Sequence, residues 1–457
     1  MSFRQQCVLM DISGVHFINK TGTSGKKDRI ATSNSPQNQQ NLVLDSNDCI
    51  YTTGKHYNDT PSPVDSQSHT IKKHTELGHL VWQDDIGGAD GNKNAVSEGA
   101  IDEFNGGIAL YGDYVYTVGY RVPAGDRNCY FFKYNRTTGD LEWKKNYNDN
   151  LNIIFYNCAT DSSGNLYIVG KYTASNGTTY GLFVKVNSSG VIQWQKRVGG
   201  GGILQFTNIL IDSSDNIFVI GKHQDGSNQP ASIYKFNTSA SIIWKKMYHN
   251  SQYTTFYSMD VDSSGNIYAA GNSGAPLLMK LNSSGTIQWC KKIGTSGLWN
   301  SPKQRCFGVA VDSSDKIYII GRNGPNNSSW KTLISQFNSS GNVQWLRDFG
   351  IASVRNSGYE IAVDSRDNLV VLGDHDNNST YKSFFLARLP NDGSKTGTYS
   401  VGGDSYSYST ASTFTITDLT GWSTSTPSAS TTNASTSVSN SSLDNNSYTA
   451  TSSTTII

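Results

Sequence analysis

Along Asp260–Gly294 apolar and polar residues alternate in short runs broken by glycine-bearing turns, the period-2 pattern of β-strands. An Asp262-Ser-Ser-Gly-Asn266 turn opens the run Ile267–Gly271, a second run spans Leu277–Leu281, an Asn282-Ser-Ser-Gly285 turn follows, and a last run centres on Trp289. Most of the chain copies this unit. Asp161–Gly170, Asp212–Gly221 and Asp312–Gly321 repeat its opening closely, and Asp45–Gly54, Gly112–Gly119 and Asp364–Gly373 repeat it more loosely, which makes seven copies. Asp161, Asp212, Asp262, Asp312 and Asp364 lie 50 to 52 residues apart. A fixed interval of that size, with no helical periodicity inside it, marks an array of sheets; a four-stranded propeller blade takes about 40 to 50 residues. The pattern therefore predicts an all-β, seven-bladed β-propeller over residues 41–403.

The repeated (I/V)-x-(V/I)-D-S-S-G-N-(I/L)-Y-(I/V)-x-G, followed by (F/L)-x-x-K-(V/L)-N-S-S-G-x-I-Q-W, resembles the bacterial seven-bladed β-propeller repeat family across roughly residues 42 to 400. That resemblance implies the propeller fold and, for function, an extracellular or surface-associated scaffold.

The two ends carry different signals. Cys7–Gly14 parallels Leu277–Gly285, and Val15–Gly25 parallels Thr286–Gly297, with Phe17 where Trp289 stands. Residues 1–25 thus read as half a blade that closes the ring by pairing with the far end of the chain; the alternative is an eighth, partial blade. Closure would remove an exposed sheet edge. Residues 26–40 are polar and read as a connector. In residues 404–457, 30 of 54 positions are Ser or Thr and none is Lys or Arg. Thr413–Thr417 and Tyr448–Thr451 nevertheless alternate like strands, and Ile456-Ile457 could fill a pocket. This segment is expected to be an assembly arm acting by strand addition, with Phe414, Ile416, Tyr448, Ile456 and Ile457 as its contacts. Its polar, tyrosine-punctuated composition resembles the ends of structural proteins in tailed phages of marine cyanobacteria.

Composition narrows the function. The 37 Lys and Arg against 36 Asp and Glu leave no field to steer the molecule toward nucleic acid or anionic lipid. No apolar run approaches a membrane span and no secretory h-region is visible, so the expected site of synthesis and assembly is the host cytoplasm. The six cysteines show neither CxxC nor metal spacing and read as buried thiols. Trp82, Trp143, Trp194, Trp244, Trp289 and Trp345, one per blade, read as packing between sheets. Each D-S-S-G/D turn offers too few carboxylates for a calcium loop, so the Asp reads as a turn former. No cofactor is implied.

In a propeller the stereotyped D-S-S-G and N-S-S-G turns fall on one face and the variable loops on the other. That second face carries the candidate binding residues: Lys55, His56, Tyr57, Tyr120, Arg121, Lys171, Tyr172, Lys222, His223, Arg322 and His375 after the repeat glycines, with Tyr253, Phe256 and Trp299 in blade-to-blade loops. Aromatics mixed with cations suit a glycan or protein surface. The eight histidines form no recognised catalytic set, and GxSxG, P-loop and dinucleotide fingerprints are absent. The expectation is a non-catalytic structural or binding propeller within a multi-subunit assembly. The preferred reading is a tail-associated phage virion protein docking on other virion proteins through residues 404–457 and meeting a host glycan or receptor through the loop face. The alternatives are a secreted or cell-surface lectin-like propeller and a polysaccharide lyase or hydrolase.

Overall fold

A computed structural model describes residues 17–21, 26–29, 42–58, 67–86, 106–121, 128–148, 152–199, 203–224, 229–250, 253–294, 304–324, 330–376, 382–401, 404–411, 415–425, 430–433 and 437–440. Among them there is no helix, and the strands form seven sheets in chain order around one ring. The protein is an all-β, seven-bladed β-propeller. In blade 5 the strands Thr254–Val261, Ile267–Ser273, Pro276–Leu281 and Ile287–Gly294 run from the axis outward in antiparallel order.

The repeated turn residues tie both the turn and its neighbour. Asp161 accepts the amides of Ser163 and Asn165 through Oδ1 and the buried Tyr167 hydroxyl, 3.0 Å away, through Oδ2. Asp262 does the same with Ser264, Asn266 and Tyr268. These carboxylates are engaged by turn and core donors, the turn-forming role read from the sequence. Among the described residues no group of three or more His, Cys, Asp or Glu could hold an ion. The fourth turn position links blades. Ser162, Ser263, Ser313 and Ser365 each donate backbone N–H and Oγ to the carboxylate of Asp215, Asp315, Asp367 and Asp48 on the following blade. The tryptophans reinforce the same direction: Trp82, Trp143, Trp244, Trp289 and Trp345 donate Nε1 to the carbonyls of Arg136, Ser188, Ser283, Ser339 and Asn391, again on the next blade.

The N-terminal strand closes the ring. Phe17–Thr21 is the outer strand of blade 7, pairing with Lys382–Leu389. Phe17 lies opposite Arg388 as Trp289 lies opposite Lys280, the register expected from the sequence. Cys7–Gly14 lies outside the described residues. The start of the polar connector is itself a strand: Lys26–Arg29 pairs with the loop-face end of Ile50–Asn58, beside Leu42–Leu44.

Residues 404–440 form a belt. Because the outer slot of blade 7 is already filled from the N-terminus, the chain after Leu389 turns back. Gly397–Val401 and Asp404–Thr410 form a hairpin on the outer edge of blade 6. Then Thr415–Asp418, Ser423–Ser425, Ser430–Asn433 and Ser437–Asn440 each add one strand to blades 5, 4, 3 and 2, against the order in which the blades were laid down. Strand addition thus occurs as expected, but the acceptor within the described residues is the chain's own propeller. Ile416 packs half-buried on the core between blades 5 and 6. Phe414, Tyr448, Ile456 and Ile457 lie outside the described residues.

The belt has a basic track beneath it. Two residues after the outer-strand tryptophan stand Lys145, Lys196, Lys246, Lys291 and Arg347 in the five belted blades, whereas blade 1 has Asp84 there. Across the ladder, Lys145 faces Asn440, Lys196 faces Asn433, Lys291 faces Asp418 and Arg347 faces Thr410. Thr410 and Asp418 both carry a side-chain oxygen acceptor, and Lys291 Nζ lies 2.5 Å from Asp418 Oδ1.

Candidate binding site at the loop-rich pole

The sequence places its candidate residues just past each repeat glycine, on the assumption that the strand ends there. It does not. The second strands run two to three residues beyond the glycine, to Arg121, Thr173, Gln224, Asn323 and Asp376. Alternate residues of these extensions turn into the blade interfaces. Tyr172, His223 and His375, each the second residue past its glycine, are therefore buried; Tyr120, the first past Gly119, is buried as well, as is Phe256 on an inner strand. Arg197 stacks on Tyr172 at 3.6 Å, and the Tyr406 hydroxyl meets His375 Nδ1 at 3.3 Å. Lys171 and Lys222 are half-buried, and Tyr253 is 61% exposed. Lys55, His56, Tyr57 and Arg121 are strand positions whose side chains lie outside the described residues, and Trp299 lies outside them altogether. Of the set, Arg322 belongs to a cluster.

That cluster starts from a bulge in the inner strands of blades 3 to 7. The register skips one residue at Tyr156, Thr207, Tyr257, Phe307 and Tyr359, always five positions before the turn aspartate. A bulged residue leaves the ladder and re-aims its side chain. In blades 5, 6 and 7 the bulged residues are aromatic and pack together, Tyr257 to Phe307 at 5.5 Å and Phe307 to Tyr359 at 5.2 Å between centroids. The interval of five from the repeat aspartate was available in the sequence as a signal for this position.

Around the aromatic floor stand three arginines. Arg305 and Arg355 open the inner strands of blades 6 and 7 at the loop-rich face, and Arg322 follows the blade 6 glycine. Arg305 Nη1 donates to the Tyr257 hydroxyl at 2.8 Å. The Arg322 guanidinium lies 5.5 Å from the Phe307 ring and 5.0 Å from the Trp330 ring, with Arg355 5.1 Å from that same indole. Trp330 is fixed by Nε1 donating to Ser357 Oγ and by its carbonyl, which accepts Asn356 N at 2.7 Å and Nδ2 at 3.2 Å. The fully buried Asn356 also bonds Ile351 and Val354, so one side chain sets both the Trp330 strand and the turn leading to Arg355.

Electrostatics follow from burial. Burial lowers the Arg322 pKa, the facing Arg305 adds to that, and Tyr359 and Asp374 work against it. Burial also raises both phenols, Tyr257 against the opposing pull of Arg305, and Tyr359 with Asp374 adding to the rise. The Tyr359 hydroxyl donates to Asp374 Oδ2 at 3.3 Å. Next to Tyr359, burial holds the Glu360 carboxyl well above the usual carboxylate range, and Asp260 is pushed up to about 6. Both phenols are thus protonated at neutral pH, and burial favours the neutral form of Glu360.

No family model matches the chain, and no curated protein matches it. Among solved structures it is similar to the polysaccharide lyase Uly1 at 10% identity, covering 83% of this chain and 100% of that one with a TM-score of 0.48. A Trypanosoma rangeli sialidase in complex with the inhibitor DANA aligns at 11% identity over 80% of this chain, with a TM-score of 0.42, and only 55% of the sialidase is covered. A protein of unknown function from Dyadobacter fermentans aligns at 8% identity over 83% of this chain and all of its own, with a TM-score of 0.42. At these identities and scores the likenesses carry no argument about activity. Nothing among them supports the virion likeness of residues 404–457.

Proposed function

We propose that the protein is a recognition propeller that binds a polysaccharide at the loop-rich end of its axis, between blades 5 and 7, and performs no chemistry on it. The observation that carries this reading is the convergence of Arg305, Arg322 and Arg355 around Trp330, above the packed Tyr257–Phe307–Tyr359 floor. Guanidinium forks donate several directed hydrogen bonds from a rigid plane, and stacking on an indole holds that plane without using its N–H edge. The exposed Tyr253 ring on the same face suits a sugar ring passing the site. Binding rather than catalysis fits the raised phenols, which supply no ready base, and the engagement of Asp374 with Tyr359.

The virion role expected from the tail drew its weight from an arm reaching a partner. The described belt strands spend that capacity on their own blades. A place in a larger assembly through this face remains compatible with the same site. Titration of the full chain against a panel of neutral and acidic polysaccharides tests the reading. Saturable binding lost in Arg355→Gln and Trp330→Ala supports it, and unchanged binding in both variants sinks it.

A further inference from the structure

We infer that the joint closing the ring, between blades 7 and 1, is acid-sensitive: a proton taken up by His74 loosens it ahead of the other inter-blade contacts. Gln67–His74 is the third strand of blade 1, and its last residue lies opposite Ile50. At the same ladder position the other blades hold Tyr134, Val186, Phe236, Leu281, Phe337 and Leu389. Each of these is fully buried in the core shared with the preceding blade. His74 is fully buried too, and Ile50 packs with Val370, Leu372 and Leu386 of blade 7. The ring-closing joint thus holds an imidazole where the six other joints hold an aliphatic side chain or a ring that cannot become a cation.

Neither His74 ring nitrogen has a hydrogen-bond partner among the described residues. The charged groups of the joint engage one another. From blade 7, Arg388 reaches Asp364 and the Asp48 carbonyl, and Arg366 pairs with Asp48 at 3.6 Å and with Glu76 at 3.8 Å. On its own strand His74 follows Lys72, itself 2% exposed, and the turn after it carries Glu76 and His79. A proton on His74 would set a second cation near Lys72 in this core, and burying a cation without an acceptor is costly. Burial holds the imidazole down at about 3 and Lys72 adds to that, while the Ile50 backbone pulls weakly the other way. The unfolded chain takes up this proton near the usual 6.5. The joint is therefore at full strength above that pH and weakens as pH falls from there toward 3. Glu360, on the inner strand of blade 7, has the opposite sign, because burial raises its pKa and its contribution is complete in acid.

Hydrogen exchange of the full-length protein at pH 7 and pH 5 reads the joint strand by strand, once rates are expressed as protection factors so that the chemical exchange rate cancels. The inference predicts that protection in Gln67–His74 and Lys382–Leu389 falls about ten-fold or more between the two pH values, relative to Ile217–Gln224 and Ala231–Phe236 of blade 4. His74→Leu, the side chain that Leu281 and Leu389 place at this position, should abolish the difference, and His79→Gln should keep it. The inference is overturned by an unmutated protein whose joint keeps its protection at pH 5, or whose blade 4 loses protection in step with the joint. A difference that survives His74→Leu, or that His79→Gln removes, overturns it as well. The comparison between blades needs no variant, so a folding defect in a substituted chain does not blunt it.

Discussion

The fourth residue of the repeated turn has two identities, Asp and Gly, and each follows from what lies next to it. Asp48, Asp215, Asp315 and Asp367 adopt φ near +60°, a left-handed conformation that Asp tolerates better than most residues, and each is held there by two hydrogen bonds from the preceding blade. Gly164 is glycine for another reason: a Cβ there would meet the Tyr111 ring at 2.3 Å. Gly265 has no such neighbour closer than 3.8 Å, and Ser213 of the preceding blade lacks a carboxylate to bond. Gly265→Asp should therefore be better tolerated than Gly265→Ala, the difference appearing in thermal melts of the two variants. Conversely, Asp315→Gly keeps the turn but loses the link, with an expected cost of about 1 kcal/mol once solvent exposure is discounted. Hydrogen bonds from Ser263 hold the Asp315 carboxyl below the usual range, so its contribution is present above the unfolded pKa and is lost as pH falls through the folded one. Glu360 has the opposite sign. Its raised pKa gives a contribution complete below the unfolded value and lost as pH rises, so the melting temperature of Glu360→Gln should match the parent near pH 4 and exceed it increasingly toward pH 8.

At the scale of elements, the belt is the part most hidden in the sequence. Its Ser and Thr content reads as solvated chain, because a short strand on the rim buries one edge and little apolar area. The described belt strands beyond Thr410 are only three or four residues long. What was legible, had the tail been compared with the blades, is a matching spacing: Thr410 and Asp418 are eight apart, Asn433 and Asn440 seven apart, and each faces the cation two after a blade's tryptophan. Anchoring is uneven. Tyr406 and Tyr408 sit fully buried in the core of blades 6 and 7, Leu419 and Trp422 pack on the blade 4 and 5 core, and Ser423–Ser425 is wholly exposed. Hydrogen exchange should accordingly be slowest for Asp404–Thr410 and fastest among the described belt strands for Ser423–Ser425. Reversing one track cation, Lys291→Glu, sets two acids side by side at Asp418 and should raise exchange in Thr415–Asp418 more than in Asp404–Thr410. A belt that also protects sheet edges predicts that a chain ending before Ala411 associates at concentrations where the full chain does not, a difference that light scattering would detect.

For the whole molecule the decisive joint is the seam between blades 7 and 1. The sequence announced that some closing device was needed, since seven sheets in a row would leave two open edges. The seam shows how it is met. Phe17–Thr21 completes blade 7, Ser365 bonds Asp48 across 317 positions of chain, and Arg388, 1% exposed, reaches Asp364 at 3.3 Å and the Asp48 carbonyl at 3.3 Å. Blades 1, 3, 5 and 6 bond this turn aspartate to a tyrosine of the second strand; blade 7 has Val370 there and uses Arg388 instead. Arg388→Met leaves a buried carboxylate without its partner, for which about 3–5 kcal/mol of destabilisation is expected in chemical denaturation. The rejoining of chain ends this far apart also makes ring closure the slow step expected of a fold rich in non-local contacts.

Periodicity alone determined the number of blades, the turn chemistry, the inter-sheet tryptophans and the place of Phe17, because each is a local pattern repeated in a fixed register. Only the tertiary structure decided where the polar tail runs and which loop-face residues converge. Tyr172, His223 and His375 share their sequence neighbourhood with Arg322, yet on strands that continue past the glycine these second residues are buried, while the first residues Lys171, Lys222 and Arg322 are not. Arg305, Arg322, Trp330 and Arg355 come together through a ladder, a bulge and the bonds of Asn356, relations between strands that no single strand records.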